Sequence, residues 1–357
     1  MSLPSLILSA LFTLSASQAH ALMSGVNPDS PSVRIDQNTI TSPWAGVGSV
    51  SVGTNTYSAT LIAPNYILTA AHVVAGAALD SVTFNLNFGG DLTQQISAAE
   101  VFIHPDYHGF NSPNLNDDLA IIRLANPVPA GVPIYKLQHD ALATGTTLTF
   151  VGYGASGTGA TGATIPASPA VKRIGQNNAD QFALDDEGSG KAEIYYFDFD
   201  GPSIAGNPTS NLMGGSTLGN ALETTVGGGD SGSPVFMRSS DGNWRLAGVN
   251  TFTFTSIAGQ TAATFGTGGG GMLIPVYANW IDSIITPVPE PDSYALMLAG
   301  LCLISVVASR GSAITSASAI PSRIGGCLLL NSKKVGADEA AKEVQIYRRF
   351  EESTEKI

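Results

Sequence analysis

A chain of 357 residues has room for about two domain-sized cores. Its 28 acidic against 16 basic residues, a formal net charge of −12, exclude nucleic-acid binding through a basic patch and favour solubility. The 40 glycines and 20 prolines, with serine, threonine and valine where helix formers would otherwise stand, point to a β-rich chain. The only cysteines, Cys302 and Cys327, leave residues 22–285 without a disulfide.

In chain order, residues 6–14 form a short apolar core, and Ala19-His20-Ala21 has the small-x-small pattern of a signal-peptidase site. Residues 1–21 therefore read as an export signal whose removal leaves Leu22-Met23-Ser24-Gly25. Alternating stretches at 49–60, 82–86, 147–151 and 245–252, punctuated by Asn-, Gly- and Pro-rich turns, predict paired barrels and no βαβ array. Leu61-Ile62-Ala63 and Tyr66-Ile67-Leu68-Thr69 flank a Pro64-Asn65 turn, and the small Ala70-Ala71 leads into His72. Small neighbours leave room for a substrate beside the imidazole. Further on, Asn116-Asp117-Asp118 runs straight into Leu119-Ala120-Ile121-Ile122. That puts Asp118 at the mouth of a buried strand, where a carboxylate is tolerable only with a partner such as His72. Asp117 is expected to be solvated.

From Gly154 to Thr225 the chain is longer than a compact core requires, and long loops on a rigid scaffold commonly shape access to a site. It holds a Gly/Ser/Thr stretch at 154–162 and an acidic run from Asp185-Asp186-Glu187 on to Asp198 and Asp200. Carboxylates this dense raise Ca²⁺ as a ligand, but their spacing matches no EF-type loop, so a solvated acidic loop without metal is the expectation. Then comes Gly227-Gly228-Gly229-Asp230-Ser231-Gly232-Ser233-Pro234. A serine attacking a carbonyl creates an oxyanion, and only backbone unhindered by side chains can aim N–H donors at it. Gly229 and Ser231 would supply them, His72 the base, and Asp118 the group that orients the imidazole. Taken singly, each piece also fits a plainer reading: a flexible loop, a structural histidine, a strand-start aspartate.

In the order His, Asp, Ser, the pieces resemble the chymotrypsin-like (trypsin-fold) serine endopeptidases over residues 22–285. Thr69-Ala70-Ala71-His72 resembles that family's histidine signature, and His104-Pro105-Asp106-Tyr107 precedes the aspartate strand as its HPxY element does. Gly152-Tyr153-Gly154 is similar to the segment opening its second barrel, Leu246-Ala247-Gly248-Val249 to the strand after its nucleophile, and Trp280-Ile281 to its closing helix. The resemblance implies an all-β fold of two six-stranded antiparallel Greek-key β-barrels, residues 22–140 and 141–285, with a C-terminal helix and an active site in the cleft between them. It implies Ser231 as nucleophile, His72 as general base and then acid, Asp118 as orienting carboxylate, and the Gly229 and Ser231 amides as oxyanion hole. Asp230 would pair with the freed amino terminus, here Leu22, and Thr251 would hydrogen-bond Asp118. Thr225 would lie at the base of the substrate pocket, with Thr251 and Gly271 also lining it. An uncharged base points to small or apolar side chains before the scissile bond, unless a loop shift brings in Glu223. Neither cofactor nor metal is implied. Two departures stand out: Tyr57, Val73 and Gly227 occupy positions where many relatives carry half-cystines, and Ser233 replaces a glycine.

After residue 285 the character changes. Thr286-Pro287-Val288-Pro289-Glu290-Pro291 reads as a stiff linker, and the apolar run 294–308, ending at Arg310, is near the lower limit for crossing a bilayer. Residues 286–310 resemble a PEP-CTERM sorting signal with its transmembrane helix. That implies retention in the inner membrane of a Gram-negative bacterium, an exosortase-type partner that cuts at the motif, and delivery to the envelope, surface or exterior. Residues 311–357 run on past the point where such signals end and have no assigned role. The alternative to an endopeptidase is a catalytically inactive homologue serving as a cell-surface binding module, against which all three side chains are present. An α/β-hydrolase esterase would show the order Ser, Asp, His and a GxSxG elbow, and a surface adhesin would show repeats.

Overall fold

The computed structural model describes residues 22–25, 27–29, 32–110, 115–202, 212–219, 222–255, 259–286 and 296–305. The export signal at 1–21, the prolines of the linker and the tail at 311–357 lie outside the described residues. The chain divides into two units, Met1–Pro287 and Val288–Ile357.

After a two-residue strand β1 (Met23–Ser24), six strands close on themselves: β2 (Val47–Val52), β3 (Asn55–Ala63), β4 (Tyr66–Thr69), β5 (Val82–Leu86), β6 (Gln94–Ile103) and β7 (Ala120–Leu124). The ring runs β2-β3-β4-β7-β6-β5 with every pairing antiparallel, so no strand edge is left exposed. Alternation supplies the filling. Val50, Leu61, Ile67, Phe84, Leu86, Ile122 and Leu124 turn inward and are essentially inaccessible; burying an aliphatic or aromatic side chain of this size contributes about 1.5–3 kcal/mol. The alternating stretch at 49–60 is a hairpin and not one strand, because Gly53 takes a φ of +59° and turns the chain. A single helical turn, α1 (Ala71–Val74), follows β4.

The second half contributes β8 (Thr147–Gly152), β9 (Ser156–Thr158), β10 (Gly162–Ile165), β11 (Arg173–Asn178), β12 (Gln181–Leu184), β13 (Ala192–Asp198), β14 (Thr224–Thr225), β15 (Pro234–Arg238), β16 (Trp244–Thr255) and β17 (Thr267–Leu273). Seven of them form a sheet in the order β11-β8-β15-β16-β17-β13-β12. Its two edge strands are consecutive in the chain, separated only by Ala179 and Asp180. Ala179 N–H donates to Thr146 on one side, and Asp180 N–H donates to Tyr196 on the other. The stretch 173–184 thus acts as one bent strand that pairs left and right and joins the two edges, so the sheet amounts to a ring of six. The remaining short strands make a four-stranded sheet, β10-β9-β1-β14, which ties Met23 to Thr225 and Ser24 to Thr224. The helix α2 (Ile274–Ile285) ends the unit and buries Tyr277, Ala278 and Ile281 in the core.

In the second unit residues 296–305 are helical. Among the described residues no helix is long and apolar enough to cross a membrane.

Candidate active site

Register explains how His72 and Asp118, far apart in sequence, come together. Strand β4 pairs with β7 so that Thr69 faces Ala120. The turn that follows β4 and the residues that precede β7 therefore emerge at the same end of the barrel. There the Asp118 carboxylate accepts the His72 backbone N–H through Oδ1 at 2.8 Å, and its Oδ2 stands 2.6 Å from His72 Nδ1. A carboxylate only accepts, so Nδ1 carries the proton and Nε2 keeps its lone pair. Nε2 lies 2.8 Å from Ser231 Oγ. Asp118 is sealed, its side chain 1 % exposed, whereas the imidazole is 21 % exposed. The Phe110 ring packs 5.0 Å from that of His72.

Ser231 stands in the loop from β14 to β15, where two glycines are required. Gly229 has a φ of +95°, and Gly232, at +81°, lies so close to Thr69 and to the Ser58 carbonyl that a Cβ would collide with both. Asp230, Gly232 and Ser233 donate their N–H groups to Gly227, Asn250 and Asp230. The amides of Gly229 and Ser231 donate to no acceptor among the described residues. Two undirected donors beside a serine hydroxyl are what an oxyanion needs. Ser58, on β3, holds this loop from the opposite barrel: its Oγ donates to the Gly229 carbonyl at 2.8 Å, and its N–H donates to the Ser231 carbonyl at 3.0 Å. Ser233 is accommodated in place of glycine because its Oγ accepts a hydrogen bond of 2.9 Å from Asn250.

Asp230 is wholly enclosed. Its carboxylate accepts the N–H groups of Gly154 and Gly227, both at 3.2 Å, and that of Leu22. Burial pushes its carboxyl up to about 7, while these amides and nearby Arg173 pull it back. The β1–β14 pairing buries Met23 completely and so fixes Leu22 beside Asp230.

The remaining expected residues are placed as follows. Thr251 is buried at a bulge in β16, and its hydroxyl has no hydrogen-bond partner, so it does not bond Asp118. Gly271 lies on β17 opposite Asn250, directly beside Thr251. Thr225 is on another sheet, opposite Met23, fully buried with an unpartnered hydroxyl. Glu223 accepts from Asp200 N–H through one oxygen, at 2.6 Å, and from Thr217 and Leu218 through the other, at 2.8 and 2.9 Å. A cleft of about 680 Å³ opens beside Gly228 and Gly229, walled by Thr54, Thr56, Ile165 and Ala167.

Besides the Thr251 bond, two expectations are overturned. Asp117 is not solvated: it is 2 % exposed, its N–H is shared by Glu193 and the Tyr277 hydroxyl, and its carboxylate meets His104 Nδ1 at 3.1 Å. Nor is the acidic run uniformly solvated, because Asp198 and Asp200 are buried with Glu223, and burial raises the Asp198 carboxyl. The partners come from elsewhere in the fold: Glu193, Tyr277 and His104 for Asp117, and for Asp198 the Met213 N–H, which donates to its carboxylate at 2.8 Å. Ser58, Glu193 and Tyr277 were not singled out from the sequence. Ser58 alternates with Ala59 and Leu61, which fill the first barrel, so period two reads it as an outward polar residue and gives no signal of its role.

Against known families, residues 34–192 match the trypsin family and residues 287–311 match the PEP-CTERM protein-sorting motif. The trypsin match takes in His72 and Asp118 and stops short of Ser231. No curated protein sequence matches the chain. Among solved structures, mouse neuropsin, described as a serine protease expressed in the limbic system of the brain, is similar at 18 % identity, with 68 % of this chain and 95 % of that one covered and a TM-score of 0.46.

Proposed function

Starting from a trypsin-family domain over residues 34–192 and hence a serine-type endopeptidase, we propose that peptide bonds are cut by Ser231, His72 and Asp118 and that the enzyme works outside the cytoplasm. The observation that carries this is the continuous line from Asp118 Oδ2 to His72 Nδ1, at 2.6 Å, and from His72 Nε2 to Ser231 Oγ, at 2.8 Å. Ser231 Oγ attacks the scissile carbonyl as its proton passes to His72 Nε2. The oxyanion is met by the N–H groups of Gly229 and Ser231, which have no other acceptor among the described residues. His72 then protonates the leaving amine, an acyl-enzyme remains on Ser231, and water repeats the sequence in reverse. Asp118 holds the imidazole in the required tautomer. No cofactor or metal enters these steps.

Activation follows from export. Cleavage after Ala21 would turn the Leu22 amide beside Asp230 into an ammonium, giving that buried carboxylate a full positive partner and holding the loop that carries Gly229 and Ser231. The preference is for small or apolar side chains, since Thr225 is neutral and the Glu223 carboxylate is engaged by Asp200, Thr217 and Leu218. The sorting motif at 287–311 supports export to the envelope or surface of a Gram-negative bacterium, with an exosortase-type enzyme as partner. Ten helical residues, 296–305, span only about 15 Å, about half the hydrocarbon thickness of a bilayer. A catalytically inactive binding module fits less well, because nothing in the three-residue line is missing.

The deciding experiment is casein hydrolysis and fluorophosphonate labelling of the exported protein beside Ser231→Ala. The parent should be labelled and active, and the variant should lose labelling and at least about 10⁴-fold in rate. Equal behaviour of the two would end this reading.

A further inference from the structure

The loop joining β12 to β13 carries Asp185-Asp186-Glu187, and β13 itself carries Glu193. One carboxylate oxygen from each of these four residues lies within 4.8 Å of the others. Asp186 and Glu187 are exposed, Asp185 is half-buried, and Glu193 is inaccessible. Among the described residues no lysine, arginine or histidine forms an ion pair with any of them. The loop is nevertheless folded tightly, with Ser189 N–H donating to Asp185 Oδ2 at 2.7 Å and Asp185 N–H donating to the Lys191 carbonyl at 3.0 Å.

Exposed carboxylates gather on many surfaces without consequence. Glu193 is different in kind. Its Oε1 accepts from the Asp117 N–H at 3.0 Å and from the Tyr277 hydroxyl, while its Oε2, fully enclosed, has no hydrogen-bond partner. A buried acceptor left unmatched is costly and rare in a folded protein. The same carboxyl group, Glu193, lies in a cluster with three further carboxylates, all crowding one point.

We propose that Asp185, Asp186, Glu187 and Glu193 form a Ca²⁺ site. Calcium binds oxygen at about 2.3–2.6 Å, so oxygens on opposite sides of one ion stand about 4.6–5.2 Å apart. A cluster whose members are all within 4.8 Å of one another fits around a single such ion. Magnesium would demand about 4.1 Å across and a near-ideal octahedron, which four carboxylates spread over up to 4.8 Å, two of them exposed, are poorly placed to supply. Zinc favours nitrogen and sulfur, and the cluster offers neither.

The site would also reach the chemistry. The carboxylate that closes it from below holds the amide of Asp117, the residue next to Asp118. An ion fixing Glu193 would therefore steady the backbone that presents Asp118 to His72, a consequence that rests on the endopeptidase reading. Binding of the ion does not.

The test uses the full chain carrying Ser231→Ala, titrated with CaCl₂ and with MgCl₂ by calorimetry and by thermal melting. One Ca²⁺ should bind per chain, raising the midpoint by roughly 5–10 °C at a hundredfold excess over Kd. Glu193→Gln is the obvious variant but disturbs a buried network. Asp186→Asn combined with Glu187→Gln changes only exposed groups, and it should weaken Ca²⁺ binding at least tenfold while the metal-free midpoint holds. No heat and no shift at millimolar Ca²⁺, equal affinity of the double variant, or equal affinity for Mg²⁺ would each overturn the site. If the parent chain, with Ser231 intact, takes up Ca²⁺ but resists fluorophosphonate, the site stands and the peptidase reading falls. Labelling without any response to Ca²⁺ does the reverse.

Discussion

The two halves of the main unit reach order by different means. The first is a closed ring with an apolar filling, and His72 and Asp118 emerge from its strand ends, where the β4–β7 register alone brings them together. The second presents Ser231 on a glycine loop that owes its shape to contacts from elsewhere: Ser58 in the first barrel, and the buried Asp230 with Leu22 beside it. On the proposed reading the base, His72, is in place wherever the first barrel folds, whereas the nucleophile and oxyanion donors would depend on docking and on the amino terminus.

The largest effect that would separate the halves is in the first. Asp118→Asn should leave the barrel intact and lower kcat by about 10⁴, because the amide can hold the imidazole only in the wrong tautomer. Steady-state kinetics with thermal melting checks both parts, and a loss of kcat tracking a loss of folding would erase the distinction.

Next comes the amino terminus. A chain extended ahead of Leu22 should lose about 10²–10³ in kcat, the cost of an oxyanion donor misplaced, while the His72–Asp118 pair is untouched. It should also respond differently to pH. In the uncleaved form the Asp230 carboxyl is raised to about 7 by burial, above its unfolded value of 3.8. Between those values the folded state holds a proton that the unfolded state releases, so stability falls as pH rises from about 4 to about 7. With a free Leu22 ammonium the carboxylate gains a partner and that decline should vanish. Melting curves of Ser231→Ala with and without the extension decide it. Identical pH profiles, or amino-terminal sequencing of the active form that starts well beyond Leu22, would remove the device.

A peptide panel varied only before the scissile bond should favour alanine or valine over arginine by about 10² in kcat/KM, since an unpaired cation would face a neutral pocket. Strong cleavage after arginine would show that the Glu223 carboxylate is free to move. The smallest change expected is from Ser58→Ala, which deletes the Oγ–H bond to the Gly229 carbonyl and leaves the Tyr153 N–H without its acceptor. About a tenfold fall in kcat with KM little altered is expected. A purely structural role would instead lower the melting midpoint and leave kcat per folded molecule unchanged.

What could be read without coordinates was whatever chemistry confines to a short stretch: the serine between glycines, the histidine after small residues, the aspartate opening an apolar strand, the alternation that makes barrels. These are local because turn geometry and strand period act over a few residues. The burial of Asp117 is illegible for the opposite reason. Its neighbours in sequence look like a solvated turn, and its partners, Glu193 and Tyr277, lie on a strand and a helix far along the chain. The acidic run divided likewise, Asp198 drawn inside with the Met213 N–H on its carboxylate, Asp200 buried with its own N–H on Glu223, and Asp185 to Glu187 left around one point in space. The sequence alone determined which groups can do chemistry, since that is a property of side chains. Which of them are buried, paired or gathered was decided only by the fold, because desolvation and hydrogen bonding depend on what the packed chain brings within about 3 Å.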